Sequence, residues 1–134
     1  MGKELVAELY RVWSQDDLSK LGSIVAENYT VFSDPGDGWE GKTLTPEEYR
    51  TRLMYSRNAF PDLVFEISHL IGEEQFVAVV WKATGTHKGD LPELPATGKK
   101  LIFTGQTTYL IKDGKVSGHW QTIDRLGFIQ QFRT

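Results

Sequence analysis

A chain of 134 residues suits one hydrophobic core and leaves no room for a second of ordinary size. Net charge is −3 with both signs interspersed, so no basic surface is expected for a phosphate backbone and nucleic acid is not an expected partner. Cysteine is absent, which excludes disulfides, thiolate metal sites and thiol nucleophiles together. The longest uninterrupted apolar run, Phe76 to Trp81, is far too short to span a bilayer. MGKELVAELYR at the N-terminus has no hydrophobic signal core, and Val6 spoils a Met-Gly myristoylation pattern. The expectation is a cytoplasmic protein with no membrane attachment.

In chain order, Leu5, Val6, Leu9, Tyr10, Val12 and Trp13 recur at helical spacing, which predicts an amphipathic helix over residues 3 to 14. Asp16 or Asp17 can cap a second helix carrying Leu18, Leu21 and Val25. TVFSDPGDGWEG, residues 30 to 41, reads as a short strand running into a Gly-, Asp- and Pro-rich loop. Its acids Asp34, Asp37 and Glu40 do not match calcium-loop spacing and read as a solvated turn. TPEE at 45 to 48 has capping-box spacing with Pro46 at the first helical position, and the helix that follows carries Tyr49, Leu53 and Phe60 on one side.

Beyond Pro61 the period changes to two. Residues 63 to 71, 76 to 87, 100 to 111 and 115 to 124 are strand candidates, the last two joined by the hairpin dipeptide Asp113-Gly114. KGDLPELPATGK, 88 to 99, is a longer connection that reads as a lid or as an ordinary crossover. Helices first and a meander of strands after them predict an α+β fold with helices packed on one face of an antiparallel sheet. A strongly curved sheet of that kind encloses a pocket.

Strict alternation puts Gly118, Trp120, Thr122 and Asp124 on the covered face of the last strand. Asp124 there has two readings. One is a general acid/base whose pKa is raised by desolvation. The other is a structural acid that caps the turn at Leu126-Gly127 or pairs with Arg125. His87, in phase with Val79, Trp81 and Ala83, reaches the pocket mouth or ends a strand half-exposed. His119 should point away, to solvent or a subunit interface, and His69 should share a face with Phe65 and Ile67. Tyr10, Trp13, Trp81, Phe103 and Trp120 are the candidate substrate-binding aromatics, Trp13 reading more as core and Trp81 and Trp120 as walls. The histidines lack metal-ligand spacing, so a metal is not expected, and no phosphate loop, dinucleotide fingerprint or nucleophile elbow occurs.

AFPDL (59 to 63), ATGTHKG (83 to 89), LPATGK (94 to 99), DGKV (113 to 116) and HWQTIDRLGFIQQF (119 to 132) follow the order seen in the SnoaL-like polyketide cyclases. These belong to the nuclear transport factor 2-like superfamily. The resemblance covers most of the chain. It implies a conical α+β barrel with about three N-terminal helices and an enclosed pocket, frequent homodimerisation, and no cofactor. It also implies aldol-type ring closure by an acid on the last strand, for which Asp124 is the matching position. Many relatives carry His before the Asp-Pro of the first strand, where this chain has Ser33-Asp34-Pro35.

The expected function is therefore acid–base chemistry on a small carbonyl compound, with Asp124 moving the proton and His87 and an aromatic hydroxyl such as Tyr10 holding the oxygen. The alternative is a module that binds a small apolar ligand, or dimerises, without chemistry. A hydrolytic variant would need two acids bridged by an arginine in the pocket. Asp124 and Arg125 point opposite ways and cannot supply it.

Overall fold

The computed structural model describes residues 2 to 133. Helix α1, Gly2–Trp13, buries Val6, Leu9, Tyr10 and Val12 and turns Lys3, Glu4 and Arg11 to solvent, as its spacing predicts. Gln15 reverses the chain with a positive φ of 81°. Asp17 then caps a 3-10 turn, Leu18–Lys20, by accepting from the Ser19 N–H at 2.9 Å. Helix α2 is a single turn, Leu21–Ile24, and Val25 already belongs to strand β1, Val25–Ser33. The second helix is thus shorter than its apolar spacing suggests. Gly22 and the β-branched pair Ile24-Val25 are weak helix formers, and the strand pairing available to β1 takes the chain over.

Strand β2, Thr43–Leu44, returns antiparallel beside β1 across the 34–42 loop. Helix α3, Pro46–Ala59, begins with the full capping box: Thr45 accepts from the Glu48 N–H while the Glu48 side chain accepts from the Thr45 N–H. The four later strands are β3, Val64–Glu73, β4, Phe76–Thr86, β5, Lys100–Lys112, and β6, Lys115–Ile123. Asp113 and Gly114 join β5 to β6 with φ of 52° and 74°, both positive, as a two-residue hairpin of this type requires. The chain continues through helix α4, Arg125–Gln130, and a 3-10 turn, Gln131–Arg133.

The six strands form one sheet in the order β2-β1-β6-β5-β4-β3, antiparallel except for β1 beside β6. Helices α1 and α3 lie on one face, α1 over β3, β4 and β6, α3 over β1 and β2. The core fills the space between. No helix among the described residues is long and apolar enough to cross a membrane.

Two strands break the alternation that the sequence suggests. In β6 the pairing with β5 jumps from Leu110–Gly118 to Ile111–Val116, so Ser117 is an extra residue in a bulge. Val116 points inward before the bulge, and His119, Gln121 and Ile123 do so after it. This corrects the expected face: a one-residue shift turns Trp120, Thr122 and Asp124 outward. In β3 the pairing skips Ser68, so His69 is exposed instead of sharing a face with Phe65 and Ile67. Strand β4 has no such interruption, and Val77, Val79, Trp81 and Ala83 all face inward, followed by His87 beyond its end.

Candidate active site

Between the helices and the sheet lies a cavity of about 140 Å³. Tyr10 and Trp13 of α1 and Tyr49, Arg52 and Ser56 of α3 form one side. Phe65, Trp81, Phe103, Tyr109, His119 and Gln121 of the sheet form the other. The walls are held by edge-to-face ring contacts, Tyr10 on Phe65 at 5.4 Å and Phe65 on Trp81 at 5.2 Å. Trp81 has room because its strand partner is Gly105, where a Cβ would lie 2.4 Å from the indole.

A buried polar cluster borders this aromatic chamber. Asp34 is 1% exposed, and its Oδ2 accepts from Arg52 at 3.1 Å, His119 Nε2 at 2.8 Å and Gln121 Nε2 at 3.0 Å. Gln121 is held in that orientation because its Oε1 accepts from Thr107 at 2.6 Å, while Thr107 accepts from the Trp81 indole at 2.9 Å. Arg52 also binds Asp37 through its Nε and a terminal nitrogen and lies over the Trp13 ring at 5.6 Å. Burial alone would lower the guanidinium pKa. The carboxylates of Asp37 and Asp34 work against that shift, and the guanidinium pKa is raised on balance.

His119 is 2% exposed, and burial lowers its imidazole pKa; Asp34 opposes this shift and Arg52 adds to it. A neutral imidazole facing a carboxylate through Nε2 carries its proton there, which leaves Nδ1 as an acceptor. Nδ1 lies 2.5 Å from the Tyr29 hydroxyl, which then donates to it. Asp34, His119 and Tyr29 thus form a buried line of hydrogen bonds with its phenol end at the chamber wall. The other phenols are oriented too. Tyr49 accepts from the Trp13 indole at 2.9 Å and keeps a proton to offer elsewhere, and Tyr10 accepts from Tyr109 at 3.0 Å and also meets the Thr107 hydroxyl. Burial pushes Tyr49 up to about 12 and raises Tyr10, Tyr29 and Tyr109 as well, keeping all four protonated at neutral pH.

Of the residues singled out from the sequence, Tyr10, Trp13, Trp81 and Phe103 line the chamber. Three others do not. Trp120 is 37% exposed on the opposite face, stacked on Phe32 at 4.4 Å. Asp124 is exposed and is the N-cap of α4, accepting from the Gly127 N–H at 2.9 Å. Its placement matches the capping alternative, because the bulge upstream removed it from the inner face. His87 is fully buried but packs between Phe60 and Phe132, outside the chamber, with Nδ1 3.2 Å from the Thr97 hydroxyl.

Sequence reasoning missed Tyr29, Asp34, Asp37, Arg52, His119 and Gln121 as site residues. Asp34 and Asp37 looked like turn acids, and His119 looked exposed. One signal was available: Arg52 sits three residues after Tyr49, on the face of α3 that Leu53 shares, where an unpaired charge would be untenable. Arg52 does bridge two acids, but only Asp37 of the two lines the chamber, so the pair does not present both carboxylates to one ligand. Among the described residues no group of three or more His, Asp or Glu side chains could hold a metal ion.

Asp37, Arg52 and Ser56 also line a larger groove of about 660 Å³ outside the chamber. Its walls include Trp39 and Tyr55, with Leu91, Pro92 and Leu94 from the 88–99 connection and Phe128 and Ile129 from α4. That connection is pinned at both ends. The His87 N–H donates to Lys99, the Gly98 N–H to His87, and the Lys88 and Gly89 N–H groups to Ala59 at the end of α3.

The chain matches the family model of the SnoaL-like polyketide cyclases over residues 3–132. Solved structures share its fold, among them the following three. A protein of Acidithiobacillus ferrooxidans, described as a putative polyketide cyclase, is 41% identical, with a TM-score of 0.91 over 98% of this chain and 94% of that one. IdmH of Streptomyces antibioticus, described in the same words, is 22% identical, with a TM-score of 0.85 over 100% and 99%. A SnoaL-like polyketide cyclase of Agrobacterium tumefaciens is 20% identical, with a TM-score of 0.82 over 98% of each chain. At those lower identities the likeness shows the fold alone. No curated protein sequence matches the chain. The match over nearly the whole length, together with the α+β architecture, places the chain in the SnoaL-like polyketide cyclase family, with a nuclear transport factor 2-like fold.

Proposed function

We propose that this protein is a cofactor-independent acid–base catalyst that takes a proton from the carbon beside a carbonyl, with Tyr29 and His119 as the proton path. The observation that carries this reading is the buried line Asp34–His119–Tyr29 ending at an aromatic chamber. The Tyr29 oxygen receives the carbon-bound proton as its own proton passes to His119 Nδ1. Asp34 holds the Nε2–H and stabilises the imidazolium. Burial and the Arg52 charge work against the imidazolium that forms, and Asp34 and Asp37 offset part of that cost. Tyr49, whose hydroxyl accepts from Trp13 and keeps its own proton, is suited to donate to the enolate oxygen, with Tyr10 beside it. Return of the proton to another carbon gives isomerisation; attack of the enolate on a second carbonyl of the same molecule gives ring closure. Family membership supports the second outcome only by analogy. The Asp124 and His87 roles implied by the sequence are replaced in this proposal by His119 and Tyr29.

The test is α-hydrogen exchange of cyclohexanone in D₂O, followed by NMR. His119→Gln and Tyr29→Phe should each slow the protein-catalysed exchange by about 10²- to 10⁴-fold, with folding checked by circular dichroism. Unchanged exchange in both variants would overturn the proposal. Binding of cyclohexanone without exchange in the wild type would favour the non-catalytic binding module. We also propose that a second copy of the chain covers the outer sheet face, where Phe32, Phe76 and Trp120 are exposed. Light scattering of wild type and Trp120→Glu would show a dimer lost on substitution, or a monomer in both.

A further inference from the structure

The chamber and the outer groove share three lining residues, Asp37, Arg52 and Ser56, which mark a neck between them. The two spaces differ in size and chemistry. At about 140 Å³ the chamber is close to the volume of an apolar cavity known to hold one benzene, so it admits a single six-membered ring and not two fused ones. The groove, at about 660 Å³, is open, with apolar groups of the 88–99 connection and of α4 in its walls and with Asp37, Arg52 and Arg125 among its polar lining; Tyr55 is 42% and Ile129 38% exposed. A surface of that kind beside a chamber calls for an occupant. The occupant that continuity through the neck indicates is the remainder of a molecule whose head is already inside.

Resting on the proton-transfer reading above, we propose that the two spaces form one site for a ketone with a single-ring head and an unbranched apolar tail. The head is held among Trp81, Phe103 and the phenols. The tail passes the neck beside Ser56, which is small enough to leave it open, and lies against Leu94, Phe128 and Ile129. Arg52 and Asp37 flank the passage as an ion pair, the Arg52 charge being shared with the buried Asp34, and Arg125 stands on the groove side. A multi-ring substrate would need the chamber walls to move apart.

The experiment measures binding of cyclohexanone, 4-propylcyclohexanone and 4-pentylcyclohexanone, with 2-decalone as a two-ring ketone of comparable carbon count. Shifts of the Trp indole N–H signals report the Kd. Each tail carbon that enters the groove should tighten binding by about two- to fourfold, making the propyl compound about eight- to sixtyfold tighter than cyclohexanone. 2-Decalone should bind at least tenfold more weakly than the propyl compound. Ile129→Asp, or Leu94→Asp as an independent second variant, should abolish the gain from the tail and leave cyclohexanone binding unchanged. A flat series, or 2-decalone binding as tightly as the propyl ketone, would overturn the two-part site. Exchange in D₂O separates the two proposals. A steep series with no exchange supports the site and overturns the proton-transfer reading; a flat series with His119-dependent exchange does the reverse.

Discussion

Strands β4 and β6 flank β5, and each carries a tryptophan, but the two rings point to opposite faces of the sheet. Trp81 is 3% exposed and walls the chamber; Trp120 is stacked on Phe32 outside. Along β4 every second residue faces the helices. Along β6 one extra residue, Ser117, moves the polar His119 and Gln121 inside and the apolar Trp120 out. The difference teaches that alternation gives the phase of a strand only up to its first bulge. It also shows what the bulge accomplishes here: it exchanges an indole for two hydrogen-bonding groups at the wall of the chamber.

The largest expected effect breaks the comparison at the tryptophans themselves. Trp81→Ala removes a buried ring and its bond to Thr107, and should lower unfolding stability by about 3–5 kcal/mol in urea titrations. Trp120→Ala loses an exposed stacked pair and should cost about 1 kcal/mol. Equal costs would mean that β6 keeps the unbulged phase, which would return His119 to solvent.

Much of the fold was legible because it is encoded locally. The capping box at Thr45 and Glu48, the Asp113-Gly114 turn and the apolar stripe of α1 each depend on residues within four positions of one another. The site was not, because it is assembled across distance. Asp34 meets His119, 85 positions away, and Arg52, 18 away, and nothing within the 34–41 loop distinguishes a buried acid from a turn acid. Gly118 was the visible hint of the bulge. A Cβ there would meet Phe32 at 2.5 Å and the Thr30 carbonyl at 2.6 Å, and a glycine inside a strand often marks such a place.

A smaller effect tests whether His119 is inside. Its neighbours are Asp34, Asp37, Arg52 and Tyr29, with the Tyr109 ring at 6.1 Å. Burial keeps it neutral in the folded protein, whereas in the unfolded chain it protonates near the ordinary value of about 6.5. Below that pH the unfolded state binds more protons. Its contribution is therefore complete above about 6.5 and declines as pH falls toward the lower folded value, by at most about 1.4 kcal/mol per pH unit. His119→Gln should flatten that part of a plot of Tm against pH. An unchanged slope would place the responsible proton elsewhere.

The smallest effect falls at Asp124, where the two strand phases predict opposite results. Inside the chamber, Asp124→Asn would remove the reacting carboxyl and stop turnover with the fold intact. At the N-terminus of α4 the side chain accepts one N–H from Gly127, a task that asparagine performs equally well. Asp124→Asn should then leave ketone exchange unchanged and stability within about 0.5 kcal/mol. Asp124→Ala, which has no acceptor, should lose about 1 kcal/mol of stability and still exchange normally. Exchange abolished in a normally folded Asp124→Asn protein would restore the acid at the end of β6 as the catalytic group and leave the Asp34–His119–Tyr29 line a structural one.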